Sequence, residues 1–338
     1  MRIAVLGVGF MGSTHIRALS NIPNGKLAAV FSNDPKKLRG ELTGIQGNLG
    51  GEGQVYDFTE VKKYRDLHLL LADPEIDAVD ICLPTDMHTA VAMEALRAGK
   101  HVLVEKPMAL TGELADQMIE EARKSGRVLM SAQVLRFVPA YRALIAAIES
   151  GSYGPVRTAL FRRQCAAPGW SGWLADSSRS GGGVFDLLIH DVDMCIRLFG
   201  APASVSATGY EDLANGVDTL AATLHYRDVP SVVVTGGWQH PKAYPFSMEY
   251  TVTTQGGTFE YSSARTVSTI FTAAGESQPM ELPEQDGFEA ELSYFIECCK
   301  TNQTPALCPP KQSAAAVKVL LTMLESRKQD GLRLECRV

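Results

Sequence analysis

The chain has 338 residues, a length that suits two domains better than one. With 45% hydrophobic and 21% charged residues, its composition is that of an ordinary globular protein that can bury a large core. The formal net charge of −6 argues against a surface for nucleic acid or an anionic membrane, so we expect neither partner.

The seven cysteines show no spacing typical of a zinc site, and their odd number does not favour a disulfide framework. No stretch reaches the roughly 18 apolar residues of a membrane span. The first apolar run is interrupted by glycines and lacks a signal-peptide cleavage pattern. We therefore expect reduced thiols in a cytoplasmic protein.

The first segment of the chain combines a strand pattern with a glycine motif. Residues 2–6 are a short apolar run that leads directly into Gly7, Gly9 and Gly12, and a helical pattern follows. This order predicts a dinucleotide-binding unit, with the pyrophosphate on the helix N-terminus and with Phe10 and Met11 among the cofactor contacts. The alternative is a tight glycine turn in another kind of α/β protein.

The second strand is predicted at residues 26–31. In a dinucleotide-binding unit, this strand normally ends near an acidic residue that binds the adenosine ribose. Here Ser32 and Asn33 follow the strand. A hydroxyl does not repel a 2′-phosphate, and Lys37 would attract one, so the sequence favours NADP over NAD. The alternative is that Asp34 takes the role of the acid from a shifted loop, while the lysines are only solvated.

The rest of the N-terminal part continues to alternate strand and helix patterns, apart from a glycine-rich loop at 44–53. Strands are predicted at 78–82, 101–104 and 128–132, and helices at 12–21, around 67–71, at 87–98 and at 111–125. Such alternation predicts a Rossmann domain of class α/β over residues 1–133, with a doubly wound parallel sheet.

The pattern changes after about residue 155, where strand-like segments follow one another. They lie at 156–164, 203–210, 219–226, 229–236, 246–254 and 257–261, and helices are predicted near 287–301 and 311–329. We predict an α+β domain over residues 134–338, with a large, mostly antiparallel open sheet.

Several motifs occur together in an order that resembles the Gfo/Idh/MocA oxidoreductases, which include glucose–fructose oxidoreductase and inositol 2-dehydrogenase. The resemblance runs nearly end to end. The motifs are GVGFMG at 7–12, PTDMH at 84–88, AGKHV at 98–102 followed by EKP at 105–107, RFVP at 136–139, GSYGPV at 151–156, GGG at 181–183, and EAEL at 289–292.

The glycines at 181–183 precede a predicted helix on which Asp186 and His190 are four residues apart and share one face, which Asp193 continues. Without the resemblance, the carboxylate of Asp186 would simply stabilise the positive end of the helix dipole. His190 would be a half-buried residue that is hydrogen-bonded to backbone groups. The resemblance implies a catalytic role instead, because the family places its catalytic trio at the positions of Lys106, Asp186 and His190.

This trio suits the oxidation of a secondary alcohol. Histidine titrates near neutrality, so His190 is expected to exchange the hydroxyl proton. Lys106 would stabilise negative charge on the same oxygen, and Asp186 would orient the lysine or substrate hydroxyls. A desolvated lysine can also have a lowered pKa, so Lys106 is the alternative proton carrier.

Further ligand contacts are expected beside this trio. Leu83, Pro84, Thr85 and His88 follow a strand end where an open α/β sheet binds its ligand, although His88 would equally suit a helix start without a ligand. Glu105 and Lys106 are also expected beside the cofactor.

On the substrate side, the loop at 166–173 contains Trp173, whose ring could lie against the nicotinamide or a sugar. Alternatively, Trp173 belongs to the hydrophobic core. Neighbouring Arg162 and Arg163 point to opposite sides of a strand, so only one reaches a pocket. We assign Arg163 to the substrate, with an ion pair as the alternative.

The sequence thus predicts an NAD(P)-dependent oxidoreductase acting on a sugar, inositol or related polyol, with no metal in the site. Some relatives use a tightly held NAD for transient oxidation while they cleave a glycoside, and this is the alternative activity. A non-catalytic dinucleotide sensor is the other alternative, which the presence of all three catalytic side chains disfavours. By resemblance, a homo-dimer or homo-tetramer is expected to form through the C-terminal sheet.

Overall fold

The computed structural model of the chain describes residues 1–47, 53–169, 172–265 and 267–338. The predicted glycine-rich loop therefore lies partly outside the described residues, as do residues 170 and 171 of the predicted substrate-side loop. The chain divides into two compact units, which we call unit 1 and unit 2. Unit 1 comprises residues 1–134 and 286–313, and unit 2 comprises residues 135–285 and 314–338.

The first part of unit 1 alternates strands and helices. Its elements are β1 (Arg2–Leu6), α1 (Phe10–Ser20), β2 (Lys26–Phe31), α2 (Pro35–Leu38), β3 (Lys62–Tyr64), α3 (Leu67–Ala72), β4 (Ala78–Ile81), α4 (Thr85–Arg97), β5 (His101–Glu105), α5 (Gly112–Ser125) and β6 (Leu129–Ala132). All six strands pair in parallel, in the order β3-β2-β1-β4-β5-β6. This confirms the predicted doubly wound sheet, whose strand order reverses between β1 and β4.

Local sequence accounts for these elements. Every residue of β4, β5 and β6 is buried, as expected for strands covered on both faces. Helix α5 begins where the Thr111 hydroxyl accepts a hydrogen bond from the Leu114 N–H at 3.3 Å, and it ends at Gly126 with φ +64°.

The remaining elements follow from residue 139 onward. They are α6 (Pro139–Glu149), β7 (Val156–Cys165), α7 (Gly172–Ala175), α8 (Ser177–Ser180), α9 (Gly183–Phe199), β8 (Ser204–Asp212), β9 (Val217–His225), β10 (Ser231–Trp238), β11 (Ser247–Thr254), β12 (Gly257–Ser262), β13 (Thr269–Thr272), β14 (Ser277–Pro279), α10 (Gly287–Thr301), α11 (Pro310–Lys328) and β15 (Leu334–Glu335). Short 3₁₀ turns lie at Val134–Arg136 and Leu213–Asn215.

Unit 2 is built on a sheet of nine strands among the described residues, in the order β14-β13-β12-β11-β7-β10-β9-β8-β15. Its pairings are antiparallel except for the parallel pair of β7 and β10, which confirms the predicted mostly antiparallel sheet. Helix α9 packs against β7, β9 and β10. Along β7, Ala159, Phe161 and Arg163 are buried, whereas Leu160 is 41% exposed, so only one face of the sheet is covered there.

Residues 286–313 belong to unit 1, although the predicted boundary at residue 133 assigns them to the second domain. The reason is that α10 packs against α1. The Phe288 ring lies 5.9 Å from the His15 ring, and Asn21 donates a hydrogen bond to Glu289. The start of α10 is fixed by Asp286, whose carboxylate accepts hydrogen bonds from the N–H groups of Phe288 and Glu289.

Candidate functional site

The glycine motif occupies the turn between β1 and α1, and each glycine meets a different constraint. Gly7 has φ +91°, and a Cβ there would lie 2.6 Å from the Cys82 carbonyl oxygen. A Cβ on Gly12 would lie 2.0 Å from the Gly7 carbonyl oxygen, so the helix and the turn are in close contact. A Cβ on Gly9 would meet nothing within 4 Å. Gly7 thus makes the tight turn, Gly9 leaves the backbone open to a ligand, and Gly12 allows the close helix contact. These are the three functions that a dinucleotide motif requires of its glycines.

The start of α1 suits an anion. Its N-cap is Gly9, no side chain caps it, and its first turn contains no acidic residue. The first N–H groups of a helix have no partner within the helix, and the helix dipole adds positive potential there. The open approach at Gly9 therefore leads to a site that fits a pyrophosphate, with Phe10 and Met11 partly exposed beside it.

At the end of β2, the side chains of Ser32 and Asp34 serve a local turn. The Ser32 hydroxyl accepts a hydrogen bond from the Asp34 N–H at 3.1 Å, and the Asp34 carboxylate accepts one from the Lys36 N–H at 2.8 Å. Asp34 is therefore the N-cap of α2. Asn33 is exposed and Lys37 is partly exposed. The first side chain after the strand is thus a hydroxyl, and the nearby carboxylate caps a helix.

The loop after β4 contains Leu83 and Pro84, and Thr85 begins α4. His88 is 1% exposed, with Nδ1 2.9 Å from the Pro107 carbonyl oxygen and Nε2 2.8 Å from the Leu83 carbonyl oxygen. Burial lowers the pKa of His88. Both ring nitrogens thus face backbone carbonyls, so His88 joins the loops that follow β4 and β5. This differs from the direct cofactor contact expected from the sequence.

The end of β5 brings Glu105 and Lys106 to the carboxyl edge of the parallel sheet. Lys106 is partly exposed between buried neighbours, and Glu105 is 6% exposed. The Glu105 carboxylate accepts a hydrogen bond from the Lys106 N–H at 3.0 Å through Oε2, and its Oε1 lies 3.1 Å from Nε2 of His15. The turns after β1, β2, β4 and β5 therefore bring the predicted cofactor residues to one sheet edge, where open α/β sheets bind ligands.

His15 and Asp80 are part of this arrangement, although neither was expected from the sequence. Nδ1 of His15 lies 2.9 Å from Oδ2 of Asp80, and both side chains are almost completely buried. Burial alone would lower the pKa of His15, but the negative charge of Asp80 and their hydrogen bond outweigh it, and the pKa is well above 6.5. The stabilisation from this pair is therefore complete below pH 6.5 and is lost as the pH rises through the raised value.

Among the described residues, His15, Asp80 and Cys82 form a group of metal-ligand type, with ligand atoms within 4.8 Å of one another. We interpret the group as an ion-pair network, because each nitrogen of His15 faces a carboxylate oxygen at hydrogen-bond distance. Burial raises the pKa of Cys82, which favours the neutral thiol. The sequence signal for this network was Asp80, a charged residue inside the apolar strand β4.

Gln133 is a second residue that sequence reasoning missed. It follows β6 directly, and the pairing of Glu105 with Ala132 places it beside the residue after β5. Its side chain is 1% exposed, and within the described part of the chain neither atom of its amide has a hydrogen-bond partner. Because a buried, unsatisfied amide is unfavourable, Gln133 is a candidate ligand contact. A polar side chain directly after a strand of the parallel sheet was the available signal.

In unit 2, Asp186 and His190 lie on α9, which begins at Gly183, the last of the three glycines and one residue earlier than predicted. From residue 183 to residue 196, every residue of this helix is buried except these two, which are partly exposed. They are one turn apart, so α9 presents a single short polar stripe in an otherwise buried surface. Such a stripe offers a proton acceptor and a carboxylate side by side.

The start of α9 rests on a buried carboxylate. The Val184 N–H donates a hydrogen bond to Oδ2 of Asp218 at 2.8 Å, and Arg327 donates one to Oδ1 at 2.6 Å. Asp218 is 1% exposed. A negative charge at the helix start is favourable, and its pairing with Arg327 compensates its burial.

Two buried ion pairs anchor the inner side of α9. Arg136 donates to Asp193 at 2.7 and 2.8 Å, and Arg163 donates to Asp191 at 2.8 and 3.1 Å. Asp193 follows the spacing of Asp186 but is fully buried. Arg163 is 2% exposed, and its guanidinium donates both of these hydrogen bonds to Asp191. This arrangement agrees with the ion-pair alternative rather than with the expected substrate contact.

The aromatic residues near these elements differ in burial. Trp173 lies in α7 and is half-buried, which leaves part of its ring accessible. Trp238, at the end of β10, is 2% exposed and belongs to a cluster with Cys165 and Leu187. His240 stacks on Tyr244 with ring centroids 3.7 Å apart. Trp238 is therefore core, while Trp173 stays a candidate for a ligand surface.

Two further findings concern the cysteines and the lengths of the helices. All seven cysteines are free. Within the described ranges of the chain, no helix is both long enough and apolar enough to span a bilayer.

Comparison with known proteins relates both units to one group of enzymes. A family model described as an oxidoreductase family with an NAD-binding Rossmann fold matches residues 1–133, and the model of the GFO/IDH/MocA C-terminal domain matches residues 141–260. Myo-inositol 2-dehydrogenase of Thermotoga maritima is 29% identical over 321 residues, which cover 91% of this chain and 90% of that protein. scyllo-Inositol 2-dehydrogenase (NAD(+)) of Bacillus subtilis is 30% identical over 321 residues, with 90% and 88% covered.

A solved structure extends the comparison to the fold. Aldose-aldose oxidoreductase from Caulobacter crescentus superimposes with a TM-score of 0.84 over 99% of both chains, at 23% identity. At this identity the likeness concerns the fold alone.

Proposed function

We propose that this chain, which belongs to the Gfo/Idh/MocA family of oxidoreductases, transfers a hydride between a nicotinamide dinucleotide and a secondary alcohol or ketone of a sugar, inositol or related polyol. The observation that carries the proposal is the turn at Gly7, Gly9 and Gly12, whose open approach leads to an uncapped helix start. The relatives named as inositol 2-dehydrogenases supply the substrate class.

The bound dinucleotide would supply the hydride acceptor or donor at its nicotinamide ring. Unit 1 would hold its pyrophosphate at the start of α1 and its adenosine ribose near Ser32 and Asn33. The rest of the dinucleotide would be contacted by Leu83, Pro84, Thr85 and Glu105. Each of these residues lies after a strand or at a strand end of the parallel sheet.

We assign the chemistry on the substrate to Lys106, Asp186 and His190. His190 would remove the hydroxyl proton as the hydride leaves carbon and return it in the reverse direction. Lys106 would donate a hydrogen bond to the same oxygen and stabilise the charge that develops there. Asp186 would orient substrate hydroxyls, which agrees with its partial exposure one turn from His190. Trp173 is proposed beside the substrate, whereas Arg163 is proposed to anchor α9.

The test is a screen of inositols, sugars and their derivatives with purified protein and oxidised cofactor. Net formation of NADH or NADPH on addition of one substrate is the expected result. Release of a glycoside's leaving group without net reduced cofactor would replace this proposal with transient oxidation. Tight binding of ligands without any turnover across the panel would identify a sensor.

For the cofactor we propose a preference for NADP over NAD. The support is that Ser32 directly follows β2, that Asp34 is engaged as the N-cap of α2, and that Lys37 lies close by in the sequence with part of its side chain exposed. A carboxylate after β2 would repel a 2′-phosphate, and its absence removes that repulsion. Use of NAD is the alternative, and the Bacillus subtilis relative is named for NAD(+).

Fluorescence titration of the apo protein with NADH and NADPH tests this preference. We expect Ser32→Asp to weaken NADPH binding about tenfold or more, since like charges are brought together. Lys37→Ala should weaken NADPH binding while NADH binding changes little. Lys26→Ala, which removes the same charge at the opposite end of β2, is the matched control. Equal affinities of the wild-type protein for both cofactors would refute the preference.

We also propose that copies of the chain associate through the face of the unit 2 sheet that lies opposite α9. Leu160 is 41% exposed at the centre of this face, and its strand neighbours there are Val233 and Thr251. Such a surface of apolar and threonine side chains suits burial in a dimer or tetramer. Light scattering of the purified protein should give the mass of two or four copies, and a monomer would contradict the proposal.

We further propose a cytoplasmic location, which the seven free cysteines support.

A further inference from the structure

The buried histidine of α1 lies between two carboxylates from neighbouring strands. His15 is fully buried, Nδ1 faces Asp80 of β4 at 2.9 Å, and Nε2 faces Glu105 of β5 at 3.1 Å. The contact with Asp80 is a hydrogen bond, whereas Nε2 makes no hydrogen bond of suitable geometry among the described residues, so its contact with Glu105 is one of charge. Two carboxylates within 3.1 Å of one buried imidazole favour its protonated form, so we interpret His15 as an imidazolium between Asp80 and Glu105.

The surrounding charges agree with this assignment. The groups that face His15 are Asp80 from β4, Cys82 directly after β4 and Glu105 from β5, while α10 contributes the uncharged ring of Phe288. Burial would raise the pKa of Glu105, but the close contact and charge of His15, together with the charge of Lys106, lower it below its usual value. Glu105 is thus held ionised in a place where a lone carboxylate would take up a proton.

Glu105 also connects this network to the residue that follows it. Its Oε2 accepts the hydrogen bond from the Lys106 N–H, while its Oε1 faces His15. Each oxygen therefore has its own partner, and the position of the carboxylate depends on both partners. Any displacement of Glu105 would displace the backbone at Lys106.

We propose that His15 is a positioning residue for catalysis: it holds Glu105, and Glu105 in turn holds the backbone from which the Lys106 side chain extends. The inference rests on the proposed function, because it assigns Lys106 to the reacting oxygen. His15 itself touches neither substrate nor cofactor in this account. Its contribution is to keep the lysine at one fixed place, and a shift of about 1 Å in a catalytic group can reduce a rate about a hundredfold.

The first test compares His15→Gln, Glu105→Gln and the double variant. We expect His15→Gln to reduce kcat about tenfold to a hundredfold. If His15 acts through Glu105, the double variant should lose no more activity than the more affected single variant. Multiplied losses would show that His15 acts independently and would overturn the proposal.

His101→Gln is the matched control. His101 is also buried, with Nδ1 accepting a hydrogen bond from the Val128 N–H, but it begins the strand that Glu105 ends. A general loss of packing should affect both histidine variants. If His15 has a specific role, both variants can lose thermal stability, but only His15→Gln should lose kcat under conditions in which the variant is fully folded.

The pH profile separates positioning from a merely structural role. In His15→Gln the two carboxylates lose the cation between them, so the pKa of Glu105 should rise. Turnover of this variant should then increase with pH over a range in which the wild-type rate is constant. If the variant does not fold, Asp80→Asn serves instead. This change should lower the pKa of His15, so that turnover falls as the pH rises.

One measurement does not depend on turnover. In protein labelled with ¹⁵N-histidine, NMR should show His15 doubly protonated at neutral pH, above the ordinary pKa of histidine. A neutral His15 under those conditions would overturn the inference, and so would stoichiometric zinc in the purified protein. Absence of wild-type turnover on every polyol would refute the proposed function, and the NMR result would still decide the charge of His15.

Discussion

Replacement of either Lys106 or His190 by alanine is expected to reduce kcat by about a hundredfold or more and to leave the dissociation constant of the dinucleotide nearly unchanged. The reason is that both side chains are assigned to the substrate oxygen, where proton transfer and charge stabilisation occur in the transition state. In the proposed site, cofactor affinity depends mainly on the glycine turn and the start of α1, which neither substitution alters.

Matched controls are available for both substitutions. Lys26→Ala removes a lysine from the far end of β2, and His68→Ala removes a histidine with an 86% exposed side chain. Both should retain wild-type kcat. Full turnover of Lys106→Ala or His190→Ala on the true substrate would show that the catalytic assignment is wrong.

The same variants decide which residue carries the proton. Oxidation needs the proton carrier in its basic form, so kcat/KM for the alcohol should fall on the acid side of that group's pKa. If His190 is the carrier, His190→Ala removes this acid limb and Lys106→Ala keeps it. The reverse result would assign the proton to Lys106.

The second large effect concerns stability. Asp193→Asn is expected to lower the free energy of unfolding by about 3–5 kcal/mol, because it removes the counter-charge that Asp193 supplies to the buried Arg136 guanidinium. Both side chains of the pair are 1% exposed and are joined by two hydrogen bonds. Urea unfolding followed by circular dichroism measures the change.

Glu249→Gln provides the comparison, since it breaks the Arg162–Glu249 pair, whose side chains are 41% and 23% exposed. That change should cost about 1 kcal/mol or less. The double variant Arg136→Met with Asp193→Leu removes both charges and should recover most of the loss. An unfolding midpoint of Asp193→Asn equal to that of the wild type would contradict this account of α9.

Local sequence patterns were sufficient to predict most of the regular elements. β2 and α10 have their predicted bounds, and α5 begins one residue later than predicted because Thr111 is its cap. Helix α6 and several short elements, among them α2 and β3, were not predicted. α2 has four residues and β3 three, which is too short for a periodic pattern to appear.

The candidate site was predictable only where a motif or a strand end marks a residue. Gly7, Ser32 and Lys106 all follow apolar strands, and a parallel sheet brings such positions to one edge. The partners of His15 and Arg163 could not be predicted, because they lie 65 and 28 residues away in the chain. Burial of the arginine depends on Asp191, and no local spacing reveals that pair.

Unit 1 is completed by a segment that is synthesised after most of unit 2. Helix α1 packs against α10, but all of residues 135–285 are synthesised between the parallel sheet and that helix. At about 5–20 residues per second, α1 would wait roughly 8 to 30 seconds for its partner. During that interval the nascent chain holds His15 without the covering ring of Phe288. Unit 1 therefore reaches its final packing only after residues 135–285 of unit 2 have been synthesised.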